Sequence, residues 1–107
     1  MGRHKYGAKA VVIDGKTFPS KAEGRRYEEL KLMQREGIIR DLQLQPRYPI
    51  RISGVLVTTY VADFRYFDVE RGQEVVEDVK GFVTDVYKLK KKLVKLVHDV
   101  DVIEIPA

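Results

Sequence analysis

The sequence predicts a single mixed α/β domain, a central sheet flanked by two helices, and three observations predict it. Two segments of helical character, residues 20–36 and 84–97, bracket a long stretch of extended chain punctuated by turns, and a short extended run follows the second. At 107 residues there is length for one core. No internal repeat, low-complexity tract or Pro/Gly-rich linker divides residues 1–107, although a basic arm occupies about residues 1–9.

The elements follow in the order ββ-α-β-β-β-α-β. A short hairpin comes first, Ala10 to Ile13 and Lys16 to Phe18 around Asp14-Gly15, because Asp-Gly between extended runs favours a two-residue turn. Ser20 is the predicted N-cap of the first helix, with Glu23 three residues on as the partner of a capping box, and Gly37 ends it after Glu36. Residues 38–52 alternate apolar and polar, but Pro46 and Pro49 cannot donate to a ladder, so this segment is expected to be extended and irregular or at an edge. Ser53-Gly54 turns the chain into one run from Val55 to Asp68, and residues 70–73 turn it again into Glu74 to Lys80, an antiparallel pair at the centre of the sheet. From Thr84 to Val97 the residues Val86, Leu89, Leu93 and Leu96/Val97 form one apolar helical stripe with lysines on the remaining faces. Asp101 to Ile105 is a last strand, ending at Pro106.

Composition narrows the chemistry. With no cysteine there is neither a disulfide nor a thiolate zinc site, and His4 and His98 make a poor metal cage, so any metal must sit on oxygen ligands. No apolar run approaches the roughly 20 residues a membrane helix needs, and no hydrophobic segment follows the first charges, so the sequence reads as cytoplasmic with no membrane partner. Twenty Lys and Arg against 16 Asp and Glu leave a net charge of only +4. Its placement says more: positive charge gathers at Arg3, Lys5 and Lys9 and again from Lys88 to Lys95, while acids gather between 63 and 78, a basic rim around an acidic centre.

The informative constellation is an acid on one core strand and acid-x-lysine on the next. Side chains alternate along a strand, so Asp78 and Lys80 share a face and Glu77 takes the other. If the run carrying Asp63 pairs with this strand, two carboxylates meet on a largely apolar sheet, and they repel unless a proton or cation neutralises them. Magnesium, which takes one or two carboxylates plus water and phosphate oxygens, suits such a place, and the Val79 carbonyl is a further candidate ligand.

Asp63 followed by Asp78-Val79-Lys80 resembles the PD-(D/E)xK nuclease superfamily, with Ala62 where the motif has proline. The layout Ser20-Lys21-Ala22-Glu23, Leu44-Gln45-Pro46, Ala62-Asp63-Phe64 and Glu77-Asp78-Val79-Lys80-Gly81 is similar to a small DUF1064-like phage and prophage family allied to Holliday-junction resolvases, over roughly residues 5–105. The resemblance implies a restriction-endonuclease-like core and a magnesium-dependent DNA endonuclease, with manganese able to substitute and no organic cofactor. It implies Glu23, Asp63, Asp78 and Lys80 as catalytic residues, the first three holding the metal with Val79. The products would carry a 5′-phosphate and a 3′-hydroxyl, the substrate would be branched DNA in phage replication or recombination inside a bacterial host, and the protein would act as a homodimer.

Several of these residues have a plainer reading. Glu23 is explained by the capping box alone, although it shares a helical face with Tyr27 and Leu30. Asp78 with Lys80 is also an ordinary same-face ion pair, and Asp63 an ordinary strand aspartate facing solvent. Lysine-rich helices are usually solvated faces. Next to a nuclease site, Tyr87, Lys88, Lys91 and Lys95 become candidates to contact phosphates or line the cleft, with Arg25, Arg26 and the Arg3, Lys5, Lys9 arm extending the footprint. Gln45 is either near the scissile phosphate or only part of a turn, and Tyr60, Phe64, Tyr66 and Phe67 read as core and strand formers. Two other functions stay open: a non-catalytic DNA-binding accessory protein on a nuclease-like fold, and a nuclease subunit of a restriction or transposition system.

Overall fold

Alternation in the extended segments and helical periodicity elsewhere are realised, among the described residues, as ten elements. A computed structural model describes residues 9–107; Arg3 and Lys5, with most of the basic arm, lie outside them. The chain runs β1 (Val11–Ile13), β2 (Lys16–Phe18), α1 (Lys21–Arg35), β3 (Ile39–Leu44), β4 (Arg47–Ile52), β5 (Val55–Val61), β6 (Phe64–Asp68), β7 (Gln73–Lys80), α2 (Asp85–His98) and β8 (Val102–Pro106). A four-stranded sheet has the order β3-β6-β7-β8, antiparallel except where β8 runs parallel to β7; β4 with β5, and β1 with β2, form two-stranded ribbons. Among the described residues no helix is long and apolar enough to cross a membrane.

The hairpin turn carries Asp14 and Gly15 with positive φ, as Asp-Gly requires, and Gly37 ends α1 at φ 80°. Ser20 caps α1 by accepting the Glu23 amide at 3.2 Å. Gly24, inside the helix, lets β1 approach: a Cβ there would lie 2.7 Å from Val11 Cγ2. Phe18, Tyr27, Leu30, Ile39, Phe64, Tyr66 and Val75 form the core beneath α1, while Tyr48, Ile50, Tyr60, Ala62, Val76, Tyr87, Val94 and Val102 form a second core beneath α2. Residues 75 and 76 of β7 point to different cores, so β7 is buried on both faces.

Two expectations are corrected. The run from Val55 to Asp68 is not one strand. It breaks at Ala62–Asp63, and the segment opposite breaks at Gln45–Pro46, so residues 39–68 form one long hairpin with a corner. Gln45 takes φ 51° and Pro46 has no N–H to give the ladder, while Ala62 N–H still donates to Pro46 O (3.1 Å) and Gln45 N–H to Asp63 O (2.9 Å), stitching the two breaks together. Beyond the corner the hairpin leaves the main sheet as the β4–β5 ribbon.

The second correction concerns α2, which Thr84 caps at Tyr87 N–H. The predicted stripe faces outward: Val86, Leu89, Leu96 and Val97 are exposed and only Leu93 is partly covered. Tyr87 and Val94, one position along, face the core instead. The tyrosine ring lies 6.4 Å from that of Tyr60 on β5, and Lys90 and Lys91 are half-buried.

Candidate active site

The hairpin corner places Asp63 where β5 gives way to β6, beside the end of β7. Its amide donates to Glu77 O (3.1 Å) and to Asp78 Oδ1 (2.8 Å), and its own Oδ2 accepts the Val79 amide at 2.8 Å. Asp63 and Asp78 are thereby interlocked, the Asp78 carboxylate held by the Asp63 amide and the Asp63 carboxylate by the amide that follows Asp78. Asp78 Oδ2 also accepts the Tyr60 hydroxyl from β5. Val79 enters through its amide, hydrogen-bonded to Asp63.

Asp78 and Lys80 lie on one face of β7, as alternation predicts, and the Lys80 ammonium sits 4.2 Å from the centre of the Tyr87 ring. Glu23, one turn into α1, is buried, and its carboxylate makes no hydrogen bond to another described residue. It does not return to the Ser20 amide as a full capping box would. Two clefts of about 260 Å³ each reach the interlocked pair: one has Lys16, Glu23, Gln45 and Asp63 in its wall, the other Tyr60, Asp78, Lys80, Tyr87 and Lys90.

Electrostatics ties the two clefts together. Burial first, then the charges of Asp63 and Asp78, pushes the Glu23 carboxyl up to about 7 from its usual 4.5. Burial raises Asp63 to about 6, against the Val79 N–H that favours its ionised form and with the Asp78 charge adding to the rise. Asp78 is raised by burial too, while the Tyr60 hydroxyl and Lys80 favour its ionised form. Three carboxyls thus crowd one region with Lys80 as the nearby cation.

In kind and charge this donor set fits a hard divalent cation: all donors are oxygens, their mutual repulsion would be relieved by positive charge, and a carboxylate oxygen that accepts one hydrogen bond keeps lone pairs for a metal. As the side chains lie, no three His, Cys, Asp or Glu groups among the described residues come together to hold an ion. Glu23, Asp63 and Asp78 are the residues that would have to close on one.

The remaining predicted residues divide. Arg26 is committed elsewhere: its Nε and Nη2 pair with both oxygens of buried Glu77 at 2.9 and 2.6 Å, and its Nη1 reaches Glu29 at 3.0 Å. Lys91 pairs with Glu104, and Lys95 with Asp99 and Asp101, each within about 3.0 Å. Tyr87 is buried and donates to Glu104. Lys9, Arg25 and Lys88 are exposed with no partner among the described residues, and Gln45 is exposed at the mouth of the first cleft. The sequence reading missed Tyr60 as a donor to Asp78 and Lys16 in the cleft wall. It also missed the Arg26–Glu77–Tyr66 cluster, in which the Tyr66 hydroxyl also donates to Glu77. Glu77 on the far face of a doubly apolar strand was the available signal for that cluster, since a buried acid requires a partner.

A comparison with curated proteins finds no match. The family model described as protein of unknown function (DUF1064) matches residues 3–102, a span that includes Glu23, the hairpin corner and the Asp78–Lys80 strand, and the chain belongs to that family.

Proposed function

We propose that this protein is a magnesium-dependent phosphodiesterase acting on DNA, an endonuclease of the PD-(D/E)xK type, and the observation that carries the proposal is the Asp63–Asp78 interlock with Lys80 beside it. Two neighbouring carboxylates buried without an arginine are costly to a fold, and the cost is understandable where an ion is to be held. When bound, magnesium supplies a Lewis acid for a phosphate oxygen and a more acidic water.

The chain's own groups supply the rest. The Val79 and Asp63 amides hold the Asp63 and Asp78 carboxylates beside each other before any ligand arrives, which lessens the ordering left to binding. Lys80, supported on the Tyr87 ring, offers a positive charge to the phosphate oxygens that gain charge in the transition state. Lys88, Lys90 and Lys92 on α2 and Arg25 on α1 have no ion-pair partner among the described residues and are the candidates to meet backbone phosphates. The resemblance to the nuclease superfamily supports cleavage to a 5′-phosphate and 3′-hydroxyl, and the resemblance to a family allied to resolvases supports branched DNA as substrate.

The test is cleavage of four-way junction, flap and linear duplex DNA by the purified chain with magnesium or manganese. The wild type is expected to cut at least one substrate, and Asp63→Asn or Asp78→Asn to slow it at least about 100-fold, the scale of losing one transition-state contact. No cleavage of any substrate with either ion, or unchanged cleavage in both variants, overturns the proposal. One observation favours a non-catalytic DNA-binding role: the acids do not close into a ready ion site. That role predicts salt-dependent DNA binding with no cleavage.

A further inference from the structure

A fourth acid stands on the face of the sheet that carries Asp78 and Lys80. β8 runs parallel to β7 in a register that sets Glu104 opposite Asp78, so both side chains leave the sheet on the same side, toward α2. Acids side by side on neighbouring strands repel. Glu104 is matched where it stands: its Oε2 accepts the Lys91 ammonium at 3.0 Å and the Tyr87 hydroxyl at 2.9 Å, and these bonds, the lysine's first, hold its carboxyl below the ordinary value.

Through Tyr87 this acid reaches Lys80. The Lys80 ammonium has no hydrogen bond or ion pair to another described residue and sits 4.2 Å from the centre of the Tyr87 ring. A lysine head rides on a flexible stem, so its place follows from what it rests on. The ring is tied at both ends: the Thr84 cap takes the Tyr87 N–H at 3.1 Å at the start of α2, and Glu104 on β8 takes the hydroxyl. An exposed ion pair with Lys91 contributes little by itself. What Glu104 adds is a bond between α2 and β8 at the one ring that carries Lys80.

We propose that Glu104 is a positioning residue for Lys80: it fixes the Tyr87 ring from the hydroxyl end, and the ring sets where the ammonium offers its charge. The inference rests on the hydrolase reading for what Lys80 meets, a phosphate oxygen that gains charge in the transition state and needs the ammonium at one place. A displacement of about 1 Å can cost about 100-fold in rate. A lysine loosened from its ring therefore loses part of its effect, while DNA held by other cations still binds. Glu104→Gln keeps an oxygen for the Tyr87 hydroxyl and loses only the charge, whereas Glu104→Leu keeps neither. Tyr87→Phe keeps the ring and loses only the bond.

Single-turnover cleavage of saturating DNA with magnesium reads the rate, with DNA affinity measured beside it. Glu104→Leu and Tyr87→Phe are each expected to slow cleavage about tenfold with affinity within about twofold of the wild type, and Glu104→Gln to keep most of the rate. In a Lys80→Met background neither substitution is expected to slow cleavage further, because each acts through the ammonium; a merely structural role would cost the same in both backgrounds. A second readout needs no cleavage. In isotope-labelled, metal-free protein the Lys80 ε-methylene resonance, assigned with Lys80→Arg, is expected upfield of the other lysines because the Tyr87 ring shields it. It is expected to move toward them in Glu104→Leu and Tyr87→Phe, and to stay in Glu104→Gln. A wild type that cuts no DNA removes the hydrolase reading and leaves the placement of Lys80 to the resonance alone. A resonance unmoved in both variants, a rate unchanged in both where the wild type cuts, or an equal loss in the Lys80→Met background overturns the inference.

Discussion

Glu77 and Asp78 are neighbours on β7, each 1% exposed, yet they live under opposite arrangements. Glu77 meets the forked guanidinium of Arg26 and the Tyr66 hydroxyl, so its charge is matched on the spot. Asp78 meets a hydroxyl and an amide, with two further carboxyls in its surroundings and a lysine whose ammonium rests on a ring. A matched buried acid braces a fold; an unmatched one among other acids leaves a demand for a cation or a proton. The two faces of one strand thus separate scaffold from candidate chemistry.

The largest expected effect breaks the matched side. Arg26→Met strands the Glu77 charge and should cost about 3–5 kcal/mol, read by urea unfolding, whereas Arg26→Met with Glu77→Met and Tyr66→Phe should recover most of it. A loss below about 1 kcal/mol for the single variant would show the pair is not a brace. The next effect sharpens the unmatched side. Glu23 and Asp63 are held at about 7 and about 6, above their unfolded values, so the fold binds these protons more tightly than the unfolded chain does. Their contribution to stability is full below about pH 4 and is lost as pH rises through about 6 to 7. Without metal, Asp63→Asn should therefore stabilise the chain by about 1–2 kcal/mol near pH 8, after allowance for solvent screening, and by less near pH 5. Manganese should raise the wild-type melting temperature more at the higher pH; an equal rise at both, or a larger one at the lower pH, would contradict this. The smallest effect is Tyr60→Phe, which removes one donor from Asp78 while Asp63 N–H remains. It should cost about 1 kcal/mol and lower cleavage less than Asp78→Asn does, an order that kinetics with both variants would check.

Much of this was legible in the residues. Asp14-Gly15, the Ser20 cap and Gly37 are signals written in local backbone preference, and the structure places each where expected. Alternation put Asp78 and Lys80 on one face and Glu77 on the other, because parity survives in a regular strand. What failed depended on partners distant in sequence. Alternation continues smoothly through Ala62–Asp63, and only the facing Gln45–Pro46 break makes that point a corner. In α2 two apolar lines lie a residue apart, and the choice between them rests on what β4, β5 and β8 offer. Arg26 reads as a surface arginine until Glu77 is seen beneath it.

The elbow of the 39–68 hairpin has a mechanical meaning. Asp63 sits at the fulcrum of an arm whose far end, the Ser53–Gly54 tip, stands outside the main sheet, while Asp78 is fixed within that sheet. Any load that swings the arm turns the peptide carrying Asp63 against a stationary Asp78. The arm is held by the core that Tyr48, Ile50 and Tyr60 share with Tyr87 and Val94 of α2, so that core and the bonds at the corner together fix the spacing of the two acids.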